Sequence, residues 1–149
     1  MKRYVLALMA MILSMNASSQ IREIGLGVIL GSQAGIGVKM WTSETTAIDA
    51  SLSYDFGYLD NLYLNASFLI HNWSVDVNED IIKIYLGPGA GLGFTSDISI
   101  SVRAPGGAGY FFHSIPLEAL AELVPTLQLT GPGGVRFRIG GYMGARWYF

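Results

Sequence analysis

Apolar and polar residues alternate along most of the chain. The pattern is clearest at the C-terminus, where apolar residues occupy every second position from Val135 to Phe149 while Arg136, Arg138 and Arg146 share the other positions. A β-strand places successive side chains on opposite faces. The segment therefore predicts a strand with one apolar and one cationic face.

Seven upstream segments show the same division. They span residues 24–30, 36–41, 47–56, 62–72, 81–94, 98–104 and 117–129. Clusters of Gly, Pro, Asn, Asp, Ser and Thr separate most of them, as expected of turns. We therefore predict an all-β chain that folds as an eight-stranded antiparallel up-and-down barrel.

The first 19 residues have the three parts of a secretory signal peptide. Met1, Lys2 and Arg3 are followed by an apolar stretch from Tyr4 to Met15, and then by the small residues Ala17-Ser18-Ser19. The stretch is too short for a bilayer, which needs about 20 residues. We expect residues 1–19 to be cleaved and residues 20–149 to form the barrel.

The composition favours a barrel in a membrane. The chain is 51% hydrophobic but only 13% charged, whereas soluble domains carry about 25% charged residues. No apolar run long enough for a membrane helix follows Gln20, and lipid admits only helices and closed barrels. We therefore predict a transmembrane β-barrel in the bacterial outer membrane, with its apolar faces toward lipid and its polar faces toward the lumen.

The polar faces carry charges of both signs, which we expect to form a network in the lumen. The residues are Lys39, Asp49, Asp55, Lys83, Arg103, Glu118, Glu122, Arg136, Arg138 and Arg146. Within it, Glu118 and Glu122 are expected to pair with Arg136 and Arg138 on the last strand. An eight-stranded barrel has room for little beyond side chains, so an open diffusion pore is not expected.

Aromatic residues near the strand ends predict two girdles at the membrane interfaces. With the N-terminus in the periplasm, the lower girdle would contain Trp41, Trp73, residues 110–112 and residues 147–149. The upper girdle would contain Phe56, Tyr58, Tyr63 and Phe94.

Little catalytic chemistry is visible, and we expect no enzyme, no cofactor and no metal site. His71 is expected on the lumen face and His113 in a periplasmic turn, whereas an enzyme acting on lipid A would need a Ser–His pair on the lipid-facing side near the cell surface. Asp76, Glu79 and Asp80 are expected in an acidic turn that lacks the spacing of a calcium loop. The glycine runs at 87–93 and 106–109 lack the ending of a phosphate loop, and the chain has no cysteine.

The C-terminal residues Ala145-Arg146-Trp147-Tyr148-Phe149 resemble the terminal strand of outer-membrane barrel proteins. That resemblance implies recognition by the barrel-assembly machinery through Trp147 and Phe149. The wider chain resembles a family of small outer-membrane barrels in the segments 25–31, 37–41, 46–50, 62–64, 71–73 and 124–125. This likeness implies a fold and a compartment but no activity.

The expected role is therefore structural or interactive, in contact with outer-membrane lipid. Loss of Lys2 and Arg3 leaves a net negative chain, which gives no reason to expect nucleic acid. Three alternatives remain open: a narrow ion channel, a soluble lipocalin-like barrel that carries a lipid in the periplasm with its apolar faces inward, and a lipid-modifying enzyme using His71 or His113.

Overall fold

A computed structural model describes residues 23–56, 61–131 and 133–149. The predicted signal peptide lies outside these residues. The strands of the described part are β1 (Ile24–Gly31), β2 (Ala34–Trp41), β3 (Thr46–Asp55), β4 (Asn61–Val77), β5 (Asp80–Leu86), β6 (Gly89–Phe94), β7 (Ile98–Arg103), β8 (Gly106–Phe111), β9 (Leu117–Gln128) and β10 (Arg136–Tyr148). No helix in the described ranges is long and apolar enough to cross a membrane.

Two prolines divide what are otherwise two continuous strands. β4 pairs with both β5 and β6, and β9 pairs with both β7 and β8. The register of β5 against β8 continues unchanged from β6 against β7. The interruptions fall at Pro88 and Pro105, which have no backbone N–H to contribute to a ladder. The ten segments therefore form eight strands, which confirms the predicted fold class.

The sheet closes on itself. β10 pairs antiparallel with β9 on one side and with β1 on the other, so that the first and last strands join. A path along paired residues that starts at Gly25 and crosses the other strands reaches β10 at Arg138. Gly25 itself pairs with Tyr148, so the two ends of the closed sheet are offset by ten residues. This stagger tilts the strands relative to the barrel axis.

The apolar faces point outward and the polar faces point inward. Exposed side chains include Leu30, Leu123 and Met143, whereas Lys39, Glu118 and Arg146 are at most 1% exposed. A lipocalin-like carrier would require the reverse arrangement, with an apolar interior. The described residues therefore contradict that alternative.

Two elements extend beyond the predicted segments. The sixth strand does not end at residue 104, because β8 continues it to Phe111 through a glycine-rich stretch in which no alternation is visible. β4 continues to Val77 and forms a tight hairpin with β5 through Asn78 and Glu79, with Asn78 at a φ of 57°. The predicted acidic turn was therefore wrong at two positions, because Asp76 lies in β4 and Asp80 begins β5.

A β-bulge in β4 decides which aromatic side chains face outward. The register between β4 and β5 shifts by one residue between Ile70 and Trp73. An inserted residue changes the side on which the following side chains lie. His71 is therefore buried inside the barrel while Trp73, two positions later, is exposed on the outside.

The aromatic girdles are only partly as predicted. We call the end that holds Ile24 and Phe149 the lower end, and the opposite end the upper end. Trp73, Trp147 and Phe149 are exposed at the lower end, and Phe56 and Phe94 at the upper end.

Trp41, Tyr63, Phe111 and Tyr148 instead point inward, so their assignment to the girdles was wrong. Each occupies a lumen-facing position of its strand, as Trp41 does two residues after Lys39. Tyr58 lies outside the described residues.

Candidate functional site: a charged interior and a lower vestibule

Four strands bring five charged side chains together inside the barrel. Lys39 of β2 lies 3.1 Å from Glu118 of β9, and Arg146 of β10 lies 3.5 Å from the other oxygen of the same carboxylate. Arg146 also forms an ion pair with Asp49 of β3 and lies 3.9 Å from Glu122. Lys39 reaches Glu118 past the two intervening strands, β10 and β1, so the cluster extends into the lumen. We call these five residues the interior network.

The arginine partners predicted for the glutamates were wrong. The register of β9 against β10 places Glu118 opposite Arg146, and places Arg136 and Arg138 opposite Gln128 and Thr126. Those two arginines are exposed near the upper end. Glutamates near the start of β9 can reach only the end of an antiparallel β10, which is where Arg146 lies.

Glycines provide the room for the network. A Cβ atom at Gly109 would overlap Oε1 of Glu118, and one at Gly27 would lie 2.6 Å from Cγ of Arg146. Tyr148 donates a hydrogen bond to Oε2 of Glu118 at 2.5 Å. Glu118 therefore receives donors from Lys39, Arg146 and Tyr148, as a buried carboxylate requires.

The other predicted network residues lie elsewhere in the barrel. Asp55 lies 3.6 Å from Arg138 at the upper end, where Arg138 also donates to the hydroxyl of Tyr63 at 3.5 Å. Arg103 lines a cavity of 180 Å³ together with Asp55 and Arg138. Lys83 lies at the lower end, separate from the carboxylates of the network.

An aromatic layer lies directly below the network. The ring of Trp41 is 4.5 Å from that of His71 and 6.0 Å from that of Phe111, and His71 is 4.9 Å from Tyr85. Nζ of Lys39 lies 4.7 Å from the centre of the Trp41 ring. Cations favour aromatic faces at such distances, so the layer and the network stabilise each other. We call these four rings the aromatic floor.

Below the aromatic floor the barrel opens into a cavity of 770 Å³, which we call the lower vestibule. Its walls combine rings and aliphatic groups with the Lys83 ammonium, the acidic residue Glu44 and several hydroxyls. Within the barrel above the floor, by contrast, a void beside Asp49 and Glu122 measures only 20 Å³. That is room for about one water molecule.

The alternation of apolar and polar residues does not predict the aromatic floor or the vestibule. Strand parity places Trp41 and Tyr85 on the lumen face, because each lies two residues from a predicted lumen lysine, but it does not show that they meet His71 and Phe111. The loop of residues 112–116, which walls the vestibule, carries no pattern from which its position could be read.

Both histidines lie at the lower end. His71 is buried in the aromatic floor, and His113 lines the vestibule in the loop after β8. Neither therefore lies on the lipid-facing side near the upper end, where the enzyme alternative would need it. In the described ranges no cluster of His, Asp and Glu is suited to hold a metal ion.

Comparison with known proteins identifies the fold. No family model and no curated protein matches the sequence. The N-terminal β-barrel domain of Pseudomonas aeruginosa OprF is similar in structure, with 14% identity, a TM-score of 0.57, and coverage of 85% of this chain and 96% of that domain. Ail, the attachment invasion locus protein of Yersinia pestis, gives a TM-score of 0.35 at 12% identity, covering 85% of this chain and 94% of that protein. The likeness to the OprF domain indicates that this chain has the fold of a small outer-membrane barrel.

Proposed function

We propose that the protein is an outer-membrane β-barrel with a structural or interaction role and a closed interior. The observation that carries the proposal is the arrangement of the two faces, with large apolar side chains exposed all around the outside and charges buried within. Such a surface is unstable in water but is stable in lipid, where a closed barrel satisfies every backbone hydrogen bond.

The filled interior supports a non-conducting barrel over the narrow channel. An ion passing through would have to displace the Trp41 ring and separate Lys39 from Glu118, whose side chains have no exposed surface. Breaking a buried ion pair costs about 3–5 kcal/mol. We therefore expect no stable conductance in planar bilayers.

Export and assembly complete the proposal. Residues 1–19 would direct export and then be cleaved, and the barrel-assembly machinery would recognise the last strand. Trp147 and Phe149 support this second step, because both are exposed on the outer face at the lower end, where an assembly factor could contact them.

Fractionation with a gel-mobility assay tests the location. We expect the mature protein in outer membranes, with a mobility that changes on boiling because a folded barrel resists detergent. The matched variants are Phe149→Ala, which should lower the amount that is assembled, and Phe56→Ala at the upper end, which should not. A protein recovered in the soluble periplasmic fraction without a heat shift would contradict the proposal.

A further inference from the structure

The lower vestibule has the size and lining of a small-molecule site. Its 770 Å³ falls within the range of about 300–1,000 Å³ that is typical of ligand pockets. Phe111, Phe112 and Leu117 provide an apolar wall, and Ser74 and Ser114 provide hydroxyls. The aromatic floor closes it above, so a ligand can enter only from the lower end.

One cation in this wall forms no ion pair with a described residue, although Glu44, which also lines the vestibule, lies near enough to attract it. Nζ of Lys83 lies 4.6 Å from the centre of the Trp41 ring and 5.8 Å from that of Phe111. It donates to the backbone carbonyl of Glu44 at 3.4 Å. Within the described residues, no carboxylate oxygen lies within 4.0 Å of this ammonium, whereas Lys39 is paired with Glu118.

The vestibule therefore joins an ammonium group, which contacts no carboxylate directly, to an apolar wall. We propose that it binds a small amphiphilic anion, which carries one carboxylate or phosphate on an apolar body. The anionic group accepts hydrogen bonds from Lys83, and the hydroxyls of Ser74 and Ser114 lie in the same cavity. The apolar body packs against Phe111, Phe112 and Leu117.

A cationic ligand fits this site poorly. The aromatic faces that would attract a cation already hold two ammonium groups, since Lys39 approaches the Trp41 ring as closely as Lys83 does. A further positive charge would be repelled by the Lys83 ammonium, whereas an anion would be attracted by it.

This site goes beyond the proposed structural role and is separate from it. Binding needs only the folded barrel and its lower opening, whichever compartment contains it. A failure to bind would therefore leave the outer-membrane proposal unaffected, and failure of membrane location would not remove the vestibule.

The experiment measures binding by the fluorescence of Trp41. The chain has three tryptophans, so Trp73→Phe with Trp147→Phe leaves Trp41 as the only one. The full mature barrel is placed in phosphatidylcholine nanodiscs and titrated with octanoate, octyl phosphate, or the neutral octanol, with empty nanodiscs correcting for partition into lipid. The two anions distinguish a carboxylate ligand from a phosphate ligand.

We expect saturable binding of at least one anion, and binding of octanol that is at least about tenfold weaker, because a charge-assisted hydrogen bond contributes about that factor. Lys83→Met should weaken anion binding about tenfold, Lys83→Arg should retain it, and Arg136→Gln at the upper end should leave it unchanged. A heat-shift assay verifies that each variant is folded.

Equal affinity for octanol and both anions would overturn the proposal. Unchanged anion binding in folded Lys83→Met would also overturn it, as would the absence of saturable binding by either anion. If Lys83→Arg and Lys83→Met lost the same amount of anion affinity, binding would not depend on the positive charge, and the proposal would be overturned as well.

Discussion

Glu118 and Arg146 face each other across the pair of strands β9 and β10, 3.5 Å apart and without exposed side-chain surface. This contact links the last two strands, and the contact of Glu118 with Lys39 at 3.1 Å extends it through the lumen to β2. One carboxylate thus connects three strands, β9, β10 and β2. Its central position makes the stability of the barrel sensitive to single substitutions.

Replacing Glu118 tests this sensitivity. Glu118→Gln preserves the shape of the side chain but leaves Lys39 and Arg146 buried without their shared anion. Loss of one partner from a buried ion pair costs about 3–5 kcal/mol, and we expect a decrease of that order in the free energy of unfolding. Urea titration in lipid vesicles measures it. Glu79→Gln, in the exposed hairpin turn, is the matched control, and equal effects of the two substitutions would contradict the role of Glu118.

Arginine is required at position 146 because three carboxylates surround it. Asp49, Glu118 and Glu122 all contact its guanidinium, and a lysine ammonium cannot reproduce that forked geometry. Arg146→Lys should cost about 1.5–3 kcal/mol, the range for hydrogen bonds to charged groups.

Arg138→Lys is the comparison for Arg146→Lys. The Arg138 side chain is 42% exposed, so we expect a change of no more than about 1 kcal/mol. Urea titration measures the free energy of unfolding of both variants. A larger decrease in Arg138→Lys than in Arg146→Lys would contradict the arrangement of carboxylates around Arg146.

Alanine substitutions at two glycines of β8 distinguish crowding inside the barrel from a general effect of alanine on the strand. A methyl group at Gly109 would overlap Glu118, whereas one at Gly106 would find its nearest neighbour 3.8 Å away. Gly109→Ala should destabilise the barrel by about 1–3 kcal/mol, as overpacking does, and Gly106→Ala should change stability by no more than about 0.5 kcal/mol. Thermal unfolding followed by gel mobility compares them. Indistinguishable midpoints would show that Glu118 is not packed as described.

An arginine on the outer face tests the contact with lipid. Leu52 is exposed in the upper half of β3, and Phe56 lies just beyond the end of the same strand. Arginine in the middle of the lipid layer costs about 2–4 kcal/mol, and near the interface about 0–1 kcal/mol. We expect Leu52→Arg to fall toward the first range and Phe56→Arg in the second, as measured by unfolding from vesicles. A Leu52→Arg barrel as stable as the original would indicate that this face does not contact lipid.

The alternation of residues was sufficient to predict eight strands and the direction of most of their side chains, although it did not reveal the glycine-rich β8. It identified the lumen positions of Lys39, Glu118 and Arg146 because strand parity is a local property. It could not predict that Glu118 meets Arg146, because that contact depends on the register between two strands.

Other features depend on local irregularities that alternation does not reveal. The bulge after Ile70 turns Trp73 outward, and Pro88 and Pro105 interrupt two ladders without changing their register. The lower vestibule also depends on how the loop of residues 112–116 is placed, and the pattern of that loop carries no such information.

The proposed membrane location requires the apolar side of β10 to face lipid, and a nitroxide scan along this strand measures which side does so. The chain has no native cysteine, so single cysteines at residues 139–146 can each carry a spin label in lipid vesicles. Collision with oxygen, which concentrates in lipid, should rise and fall with a period of two, with maxima at Ile139, Met143 and Ala145 and minima at Tyr142 and Arg146. Absence of that period, or access of Met143 to a water-soluble nickel reagent, would contradict a barrel with its apolar face in lipid.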